Sequence, residues 1–548
     1  NEAYADYAEQ LMEKANIVAS FQDSPCETSK ERFKNVKKKM FIRAIGALNF
    51  NYVNIIDYRQ MATKAIRRCE LLAEVMNRDL SDERRATSQE LAAWTAGLAA
   101  ILDEVNQSAA GFSKDKFIEV FEKILALNSS LVASRSSLES RGTSHESRET
   151  LLPGPVLIAQ FAEAALSALD RYTVMVWPRQ VQDFEKIMTN EFTGIGIVIS
   201  KQKGMLTVAS LLPDTPAYNS GLDAGDVIEA VDAVETKDMS LVCAVRSITG
   251  PAGTKVTLTV KRTGEELVRD ITITRAKITV PTILGWARNE AGKWLYMIDE
   301  ANEIGYVRLT SFSERTASDL EKVLNRLEAE GLSKGGLILD LRFNSGGLLN
   351  SAIEVTDKFV KEGLIVSTRP RFGVWTYAPA QKEKTHPDYP IVVLINSGSA
   401  SASEIVAGAL ADPQHKRAIL VGERTHGKGS VQGITQYPGD GAQLKYTMAY
   451  YHLPSGQRVE SRDVMEKQGR SDWGVGPNIE IKLRSDELGK MIDVQRDNDV
   501  LVRADHDNGA APLKKHTAEE TIATDPQLAV GILVIKSKLI EEKTKSRM

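Results

Sequence analysis

Cysteines and long apolar runs are scarce in this chain of 548 residues, and each scarcity excludes a class of protein. Cys26, Cys69 and Cys243 are too few and too scattered for a disulfide framework or a CxxC metal site, so we expect buried free thiols. The longest apolar stretches, at 390–396 and 156–169, fall short of the ~18–20 residues that a membrane-spanning helix needs. The sequence therefore predicts no integral membrane span and no metal site.

Charge of one sign is also missing, because the formal net charge is −4 with 26% charged residues of mixed sign. No basic region stands out, so nucleic acid is not an expected partner. A chain this long exceeds a single hydrophobic core, and about two to four domains are expected. It begins at Asn1 without a basic-then-apolar leader, which predicts either a removed targeting segment or a fragment.

The first half of the chain changes character several times. Residues 1–127 carry apolar side chains at spacings of three and four, as in Phe41, Ile45 and Leu48, which predicts a helical region for docking or dimerisation. Residues 128–155 are rich in Ser and predict a linker, and residues 156–191 predict a helical lead-in.

From residue 192 the pattern becomes β-rich and then mixed. Short β-branched runs separated by turns predict a small β-rich domain over 192–276. Strands alternate with helices over 277–485, which predicts a layered α/β core, and residues 486–548 predict a C-terminal extension with a terminal helix. The fold class is therefore multidomain α/β (α+β).

The segment 396–404 reads Asn-Ser-Gly-Ser-Ala-Ser-Ala-Ser-Glu, between a buried strand and a helix. Small residues at such a turn expose a hydroxyl beside a helix N-terminus, where backbone N–H groups favour an oxyanion. Ser401 is then a candidate nucleophile. Ser401 and Glu404 also fit a capping box, in which the serine only begins the helix, and the segment alone leaves both interpretations open.

Lys428 lies in Gly422-Glu-Arg-Thr-His-Gly-Lys-Gly-Ser, which nearly spells a phosphate-binding P-loop. Gly429 stands where the metal-binding hydroxyl belongs, and the following residues predict a strand rather than the required helix. A lysine among glycines after a buried strand can be partly desolvated, which lowers its pKa and makes it a general base. A solvated turn lysine is the alternative.

Gly346 and Gly347 close the segment Asp340-Leu-Arg-Phe-Asn-Ser-Gly-Gly, at the carboxyl end of another predicted strand. They can offer an N–H group to a substrate carbonyl or simply form a turn. None of the seven histidines lies in a Gly-x-Ser-x-Gly or His-Glu-x-x-His motif. A Ser-His-Asp triad through His426 is therefore a minor alternative.

Several segments in one order resemble the carboxyl-terminal processing peptidases, also called tail-specific proteases, which are serine peptidases with a PDZ domain. The resemblance departs from the family at Arg171, Thr173 and Asn478, where Pro, Ser and Asp are usual. The matching segments are Ala168-Leu-Asp-Arg-Tyr, Phe192-Thr-Gly-Ile-Gly-Ile, Ser220-Gly-Leu-Asp-Ala-Gly-Asp, Gly250-Pro-Ala-Gly, Asp340-Leu-Arg-Phe-Asn-Ser-Gly-Gly, Gly398-Ser-Ala-Ser-Ala-Ser-Glu and Val421-Gly-Glu-Arg-Thr-His-Gly-Lys-Gly-Ser-Val-Gln.

This resemblance implies a ClpP/crotonase-like α/β peptidase core and a Ser/Lys dyad without a cofactor. Ser401 is the implied nucleophile, Lys428 its base, and Gln432 the residue that orients the lysine. The implied oxyanion donors are the backbone of the Gly346 and Gly347 pair and of Ala402.

The implied PDZ domain occupies 192–276 and binds protein or peptide substrates through free, apolar carboxyl termini. The residues expected to bind the terminus are Gly194, Ile195, Gly196 and Ile197, whose backbone would meet the carboxylate. A catalytically inert PDZ adaptor is the alternative function. The resemblance also implies an extracytoplasmic location, in the periplasm or at the outer face of the inner membrane, and the N-terminal helices are expected to support a homo-oligomer or an adaptor contact.

Overall fold

The computed structural model describes residues 2–21, 23, 27–79, 87–108, 111–136, 151–182, 184–185, 191–202, 204–262, 267–500 and 514–545. The chain divides into two compact units. The first comprises Asn1–Glu185, Pro370–Gly373 and Gln432–Ala449, and the second comprises Lys186–Arg369, Val374–Val431 and Tyr450–Met548. Within the described residues, no helix is both long and apolar enough to cross a membrane.

The first unit is mainly helical. The predicted periodicity of three and four is confirmed in α3, where Phe41, Ile45 and Leu48 are all buried. Four phenylalanine rings from three helices pack with centroids 4.8–6.1 Å apart, which builds the centre of this core. The elements are α1 (Glu2–Phe21), α2 (Ser29–Arg32), α3 (Lys38–Asn51), α4 (Tyr58–Asp79), α5 (Ser88–Gln107), α6 (Lys114–Ser136), α7 (Gly154–Ser167) and β1 (Val174–Val176).

The predicted linker differs from the structure at its start, because α6 continues to Ser136. Asn128 is buried, and its amide exchanges two hydrogen bonds of 2.8 Å with the backbone of Leu152. These bonds satisfy the hydrogen-bonding groups of the buried Asn128 side chain, at the position where the composition predicts the start of a linker. Residues 137–150, the centre of the predicted linker, lie outside the described residues.

The β-rich domain begins the second unit as an antiparallel sheet with strand order β3-β4-β5-β7-β8, and β6 pairs with β5. Strand β3 is an edge of this sheet, and α8 packs beside it. The module closes where β2 pairs with β9, three residues beyond the predicted end at 276. Its elements are β2 (Glu191–Gly194), β3 (Ile197–Gln202), β4 (Met205–Leu211), β5 (Val227–Val231), β6 (Val234–Glu235), α8 (Leu241–Ile248), β7 (Lys255–Lys261), β8 (Val268–Thr274) and β9 (Ala276–Thr279).

The α/β core of the second unit is built on a mixed sheet with strand order β10-β14-β15-β18-β19-β22. The pairs from β14 to β22 are parallel, so their carboxyl ends meet at one edge. Its elements are β10 (Ile283–Leu284), β11 (Ala287–Arg288), β12 (Trp294–Leu295), β13 (Met297–Asp299), β14 (Ile304–Leu309), α9 (Thr316–Ala329), β15 (Gly336–Asp340), α10 (Leu349–Asp357), β16 (Leu364–Pro370), β17 (Thr376–Pro379), β18 (Ile391–Ile395), α11 (Ala402–Ala411), β19 (Ile419–Gly422), α12 (Arg462–Lys467) and β22 (Ile479–Glu480).

Two further strands, β20 (Ser430–Gly439) and β21 (Ala442–His452), form a long hairpin, and most of it belongs to the first unit. There β1 pairs antiparallel with β21.

Both faces of the core sheet are covered. Helices α9, α10 and α11 contribute to a large apolar cluster on one face. The predicted extension contains α13 (Ser485–Asp499), α14 (Ala518–Thr524) and α15 (Pro526–Lys545). Leu528, Ile532 and Ile535 of α15 pack on the other face, so the terminal helix is a layer of the core and not an appendage.

The cysteines do not all match the expectation of free thiols. Cys69 is free and fully buried, and burial raises the pKa of its thiol. Cys243 is disulfide-bonded, so the expectation is wrong for this residue. Cys26 lies outside the described residues.

Candidate active site

Ser401 lies in the turn that joins β18 to α11, at the carboxyl edge of the core sheet. Its backbone has φ 56° and ψ −111°, a region that costs a residue with a side chain about 1–3 kcal/mol. Two neighbouring hydroxyls hold the turn: Ser399 Oγ donates to the carbonyl of Leu341, and Ser403 Oγ donates to that of Asn344, each at 2.8 Å. The surrounding fold therefore enforces the strained position of Ser401.

Ser401 is the N-cap residue of α11 and forms a capping box with Glu404. The N–H of Glu404 donates to the carbonyl oxygen of Ser401 at 2.9 Å. In return, the N–H of Ser401 donates to Oε2 of Glu404 at 2.8 Å. The capping interpretation is therefore confirmed, and its glutamate also reaches the lysine turn.

Glu404 is completely buried and accepts hydrogen bonds from two segments of the chain. Oε2 accepts the N–H groups of Ser401 and Lys428, each at 2.8 Å. Oε1 accepts the hydroxyl of Thr425 at 2.5 Å and the N–H of Gly427 at 2.7 Å. Burial raises the pKa of Glu404, and these donors oppose that effect by favouring the carboxylate. One side chain therefore joins the serine turn to the lysine turn.

Lys428 is half-buried and lies between Gly427 and Gly429. The backbone of residues 459–460 packs closely against both glycines. A Cβ at Gly427 would stand 2.3 Å from the carbonyl oxygen of Glu460, and one at Gly429 would stand 1.8 Å from that of Val459. A side chain at either position would push the lysine turn away from this backbone. The glycines thus allow the lysine turn to lie in the groove beside residues 459–460.

The P-loop interpretation of this segment is wrong, because the chain enters strand β20 at Ser430 and no helix follows Lys428. His426 has an exposed side chain, and its backbone N–H donates to the carbonyl of Ser399 at 3.0 Å. The segment is therefore built around Glu404 and Lys428, without the helix N-terminus that a P-loop places at a phosphate.

The loop that carries Gly346 and Gly347 packs directly against the serine turn. A Cβ at Gly346 would stand 2.9 Å from Cβ of Ser401 and 3.0 Å from the nitrogen of Ala402. The carbonyl of Asn344 also accepts the N–H of Ala400 at 3.0 Å. Three segments that are far apart in the sequence therefore meet around Ser401.

The two glycines have different hydrogen bonds. The N–H of Gly346 donates to Oδ1 of Asn344 at 2.9 Å. Two backbone hydrogen bonds form a bridge from this loop to Phe312. The carbonyl of Gly346 accepts the N–H of Phe312 at 3.1 Å, and the carbonyl of Phe312 accepts the N–H of Leu348 at 2.8 Å. The N–H of Gly347 takes no part in that bridge. Gly347 is therefore the better candidate oxyanion donor, because the N–H of Gly346 already donates to Asn344.

The predicted carboxylate-binding residues lie where β2 ends and β3 begins. The carbonyls of Ile195 and Gly196 accept the N–H groups of Ala217 and Leu212 at 2.8 and 2.9 Å. Ile195 is 1% exposed and belongs to the core of the domain, so its side chain does not form part of the domain surface. Gly194 ends β2, and Ile197 begins β3.

The apolar surface beside β3 comes instead from residues that sequence reasoning missed. Val198 on β3 and Leu241, Val242 and Val245 on α8 have exposed side chains. The sequence held part of this signal, because Leu241, Val242 and Val245 are apolar residues of one short helix. Apolar residues on a helix beside an edge strand suit the binding of an extended peptide.

Gln432 is the third residue of β20 and is half-buried in the first unit. Its orienting role toward the lysine stays a prediction. Glu404 and Asn344 are the residues that sequence reasoning did not assign to the site. The glutamate was visible as part of a capping box, but only the fold brings Thr425 and Lys428 to the same carboxylate.

Comparison with known proteins matches two regions of the chain to known domains. Residues 303–481 match peptidase family S41, and residues 181–261 match the PDZ domain. The chain is 39% identical over 342 residues to the carboxy-terminal-processing protease of Bartonella bacilliformis, which covers 62% of this chain and 72% of that protein. It is 35% identical over 301 residues to the carboxyl-terminal-processing protease of a Picosynechococcus species, which covers 54% of this chain and 68% of that protein.

Among solved structures, a photosystem II D1 C-terminal processing protease aligns with a TM-score of 0.37 and 22% identity, covering 84% of this chain and 97% of that chain. The sequence relatives, the two matched domains and the α/β core together identify the family. The chain is a serine-type peptidase of family S41 and belongs to the carboxy-terminal-processing proteases that carry a PDZ domain.

Proposed function

We propose that this peptidase cleaves proteins near their carboxyl termini with Ser401 as nucleophile and Lys428 as general base. The observation that carries the proposal is the shared oxygen of Glu404, which accepts the N–H groups of both residues at 2.8 Å. A common anchor fixes the two backbones in one frame, which a Ser/Lys dyad needs for proton transfer.

The reaction begins when the neutral amine of Lys428 takes the proton of the Ser401 hydroxyl. Oγ attacks the scissile carbonyl carbon, and the electron pair of the carbonyl moves to its oxygen. When the tetrahedral intermediate collapses, the amine of the leaving peptide takes the proton from Lys428 and an ester remains on Ser401. Water, activated by the same lysine, then adds to the ester, and its hydrolysis releases the new carboxyl terminus and restores the hydroxyl. Gln432 orients Lys428 in this scheme.

The oxyanion is held by the N–H groups of Gly347 and Ala402. Gly347 is preferred to Gly346 because the N–H of Gly346 already donates to Asn344. Ala402 is the first residue of α11, where the helix dipole adds to the attraction of a developing negative charge. Gly346 serves instead as the point where the loop packs on the serine turn.

The PDZ domain selects substrates by their free carboxyl termini. Strand β3 is a sheet edge, so an extended peptide can add to it as a further strand, with its carboxylate at the turn of Gly194–Ile197. Val198, Leu241 and Val245 line this edge with apolar surface and favour an apolar terminal residue. The preferred substrates are therefore proteins with apolar carboxyl termini.

We also propose that the protein acts outside the cytoplasm. The disulfide at Cys243 supports this location, because disulfides persist in oxidising compartments. Because Cys243 is buried, the test alkylates the thiols of acid-quenched cells under denaturing conditions, before and after reduction, and identifies the modified residues by mass spectrometry. Cys243 should resist the reagent until a reductant is added, and ready alkylation without reductant would contradict the proposal.

Cleavage of an unstructured protein with an apolar carboxyl terminus tests the dyad, with Ser401→Ala and Lys428→Ala beside the parent. Both variants should lose cleavage by a factor of 10³ or more, which is a rough expectation for loss of a nucleophile or its base. Undiminished cleavage by either would refute the assignment. If the parent binds the substrate but never cleaves it, the protein is an inert adaptor, which is the alternative function.

A further inference from the structure

The loop that carries Gly346 and Gly347 begins at a buried arginine. Strand β15 ends at Asp340, and Arg342 follows two residues later with a side chain only 3% exposed. Nε and Nη2 of Arg342 donate to the carboxylate of Asp340 at 3.0 and 2.6 Å. The backbone N–H of Arg342 donates to Oδ1 of Asp340 at 2.9 Å, so the start of the loop is tied to the end of the strand.

The same guanidinium is held from the far end of the chain. Nη1 and Nη2 donate to Oδ1 and Oδ2 of Asp525 at 3.0 and 2.7 Å, and Nη1 also donates to Oε1 of Gln527 at 3.0 Å. The carboxylate of Asp525 is 5% exposed. Arg342 is therefore clamped between two buried carboxylates, one from the sheet and one from the C-terminal segment.

Asp525 is itself fixed by the helix that follows it. Its Oδ1 accepts the N–H of Leu528 at 3.1 Å, and its carbonyl accepts that of Ala529 at 2.9 Å. Leu528 and Ile532 bury α15 against the core sheet. Asp525 therefore joins Arg342 to a helix that is packed on the core sheet.

The loop beyond Arg342 needs such support. Phe343 has φ 60°, a costly conformation for an aromatic residue, and its ring is 50% exposed, so burial of the ring contributes little to holding it. The N–H of Phe343 donates to Oδ1 of Asn396 at 2.9 Å, and Asn344 continues to the glycines. A strained segment of this kind keeps its geometry only when both flanks are fixed.

We propose that Asp525 is a positioning residue for catalysis, which acts through Arg342 to hold the oxyanion loop in its active geometry. The inference rests on the proposed function of Ser401 and Gly347. Without the charge of Asp525, Arg342 keeps one carboxylate and can shift, and a shift of about 1 Å at the oxyanion donors can cost about 10²-fold in rate. The C-terminal segment is then part of the working active site.

Asp525→Asn is the test variant, because asparagine keeps an oxygen for the N–H of Leu528 while removing the charge. The matched control is Asp499→Asn. Asp499 makes another ion pair between the C-terminal segment and the core, with Arg308 Nη2 at 2.6–2.7 Å, but it does not contact Arg342. Asp525→Glu restores the charge as a rescue. Gln527→Met is a milder perturbation that removes one neutral acceptor of Arg342 together with the hydrogen bond from Nε2 of Gln527 to the carbonyl of Ile481.

Four quantities are measured on the 548-residue chain: kcat and KM for a peptide substrate, the inhibition constant of a peptide aldehyde, and the affinity of a C-terminal peptide for the PDZ domain. The aldehyde forms a tetrahedral adduct with the serine, so its affinity depends on the oxyanion donors. Circular dichroism and urea unfolding report the folding of each variant.

The expected result for Asp525→Asn is a fall in kcat of about 10–100-fold with KM and PDZ affinity unchanged, and a comparable weakening of the aldehyde. Asp525→Glu should recover part of the loss, and Gln527→Met should lose a few-fold. Asp499→Asn should lose stability but not kcat.

The proposal is overturned if Asp525→Asn and Gln527→Met match the control in kcat and aldehyde affinity. Should Asp525→Asn fail to fold, Gln527→Met alone decides: unchanged kcat and aldehyde affinity overturn the proposal, and a few-fold loss supports it. Failure of the proposed function gives a different result, because the parent itself would neither cleave nor bind the aldehyde through Ser401.

Discussion

Ser401 and Lys428 donate their backbone N–H groups to the same atom, Oε2 of Glu404, at 2.8 Å each. The two residues are 27 positions apart in the sequence and lie on turns after different strands. Their shared acceptor belongs to a helix that begins at the serine turn. Glu404 therefore ties together the backbones of the two residues of the proposed dyad.

Removing the charge of Glu404 should lower both kcat and the stability of the protein. Each oxygen of Glu404 accepts two hydrogen bonds. In Glu404→Gln an NH2 group replaces one of these oxygens, so the two buried donors that it accepted lose their acceptor. We expect kcat to fall by about 10–100-fold and the free energy of unfolding to fall by about 1–3 kcal/mol.

Steady-state kinetics and urea unfolding check this prediction. Glu328→Gln is the control, since Glu328 accepts a hydrogen bond from His386 at 2.7 Å outside the site. Equal kinetic losses in the two variants would contradict the role of Glu404.

Two glycines of the second unit should respond to alanine with opposite signs. At Gly429 a Cβ would stand 1.8 Å from the carbonyl oxygen of Val459, so the lysine turn must move and both stability and kcat should fall. At Gly489, in the middle of α13, nothing lies within 4 Å, so alanine should raise the free energy of unfolding by about 0.5–1 kcal/mol without changing kcat.

Chemical unfolding and substrate turnover distinguish these outcomes directly. A Gly429→Ala variant with the kcat of the parent would mean that the close packing of this turn does not position Lys428.

The exposed apolar residues beside β3 predict how substitutions change peptide binding. Val245 on α8 and Val234 on β6 are both 47% exposed, but only Val245 lies on the helix beside the edge strand β3. Val245→Asp should weaken the binding of a peptide with a free apolar terminus by about 10-fold, through lost apolar contact and an added charge. Val234→Asp should leave it unchanged.

Fluorescence anisotropy with a free-acid peptide and its C-terminally amidated form measures this effect. Equal affinity for the two peptide forms would contradict carboxylate recognition, and equal weakening by both substitutions would contradict the binding of the peptide beside β3.

His452 should give the stability of the protein a dependence on mildly acidic pH. Its side chain is buried, and burial together with the charges of Arg369 and Arg458 lowers its pKa to about 4. In the unfolded chain the imidazole titrates near about 6.5, so the unfolded state binds the proton first as the pH falls. The stabilising contribution is complete above about pH 6.5 and is lost as the pH falls toward about 4.

Urea unfolding of the parent and of His452→Gln at a series of pH values isolates this contribution. The parent should lose about 1–3 kcal/mol relative to the variant between pH 7 and about 4.5. Parallel curves would show that His452 does not titrate differently in the two states.

Much of the candidate site could be located from the sequence because its motifs are local. Ser401, Lys428 and the glycine pair each follow a strand that is buried on both faces, and such strands read as continuous apolar runs. Parallel strands bring their carboxyl ends to one edge, so the meeting of these segments follows from the alternation of strands and helices.

The features that the sequence did not reveal are those that depend on tertiary contacts. Glu404 reads locally as part of a capping box, and only the fold shows that it also receives Thr425 and Lys428. Similarly, the terminal helix was predicted correctly, but its covering of the core sheet and the approach of Asp525 to Arg342 join residues 183 positions apart. Ile195 follows β2 and is buried, and its carbonyl accepts the N–H of Ala217, a tertiary contact that local alternation does not determine.

The central claim is that Lys428 activates Ser401, and the rate at which a fluorophosphonate modifies Ser401 tests it most directly. The modified residue is identified by mass spectrometry in the parent, in Lys428→Met and in Lys482→Met, whose lysine is exposed outside the site. We predict that Ser401 is modified in the parent and in Lys482→Met, and at least about 100-fold more slowly in Lys428→Met. Modification of Ser401 at the parental rate in Lys428→Met, or modification of a different serine in the parent, would contradict the account.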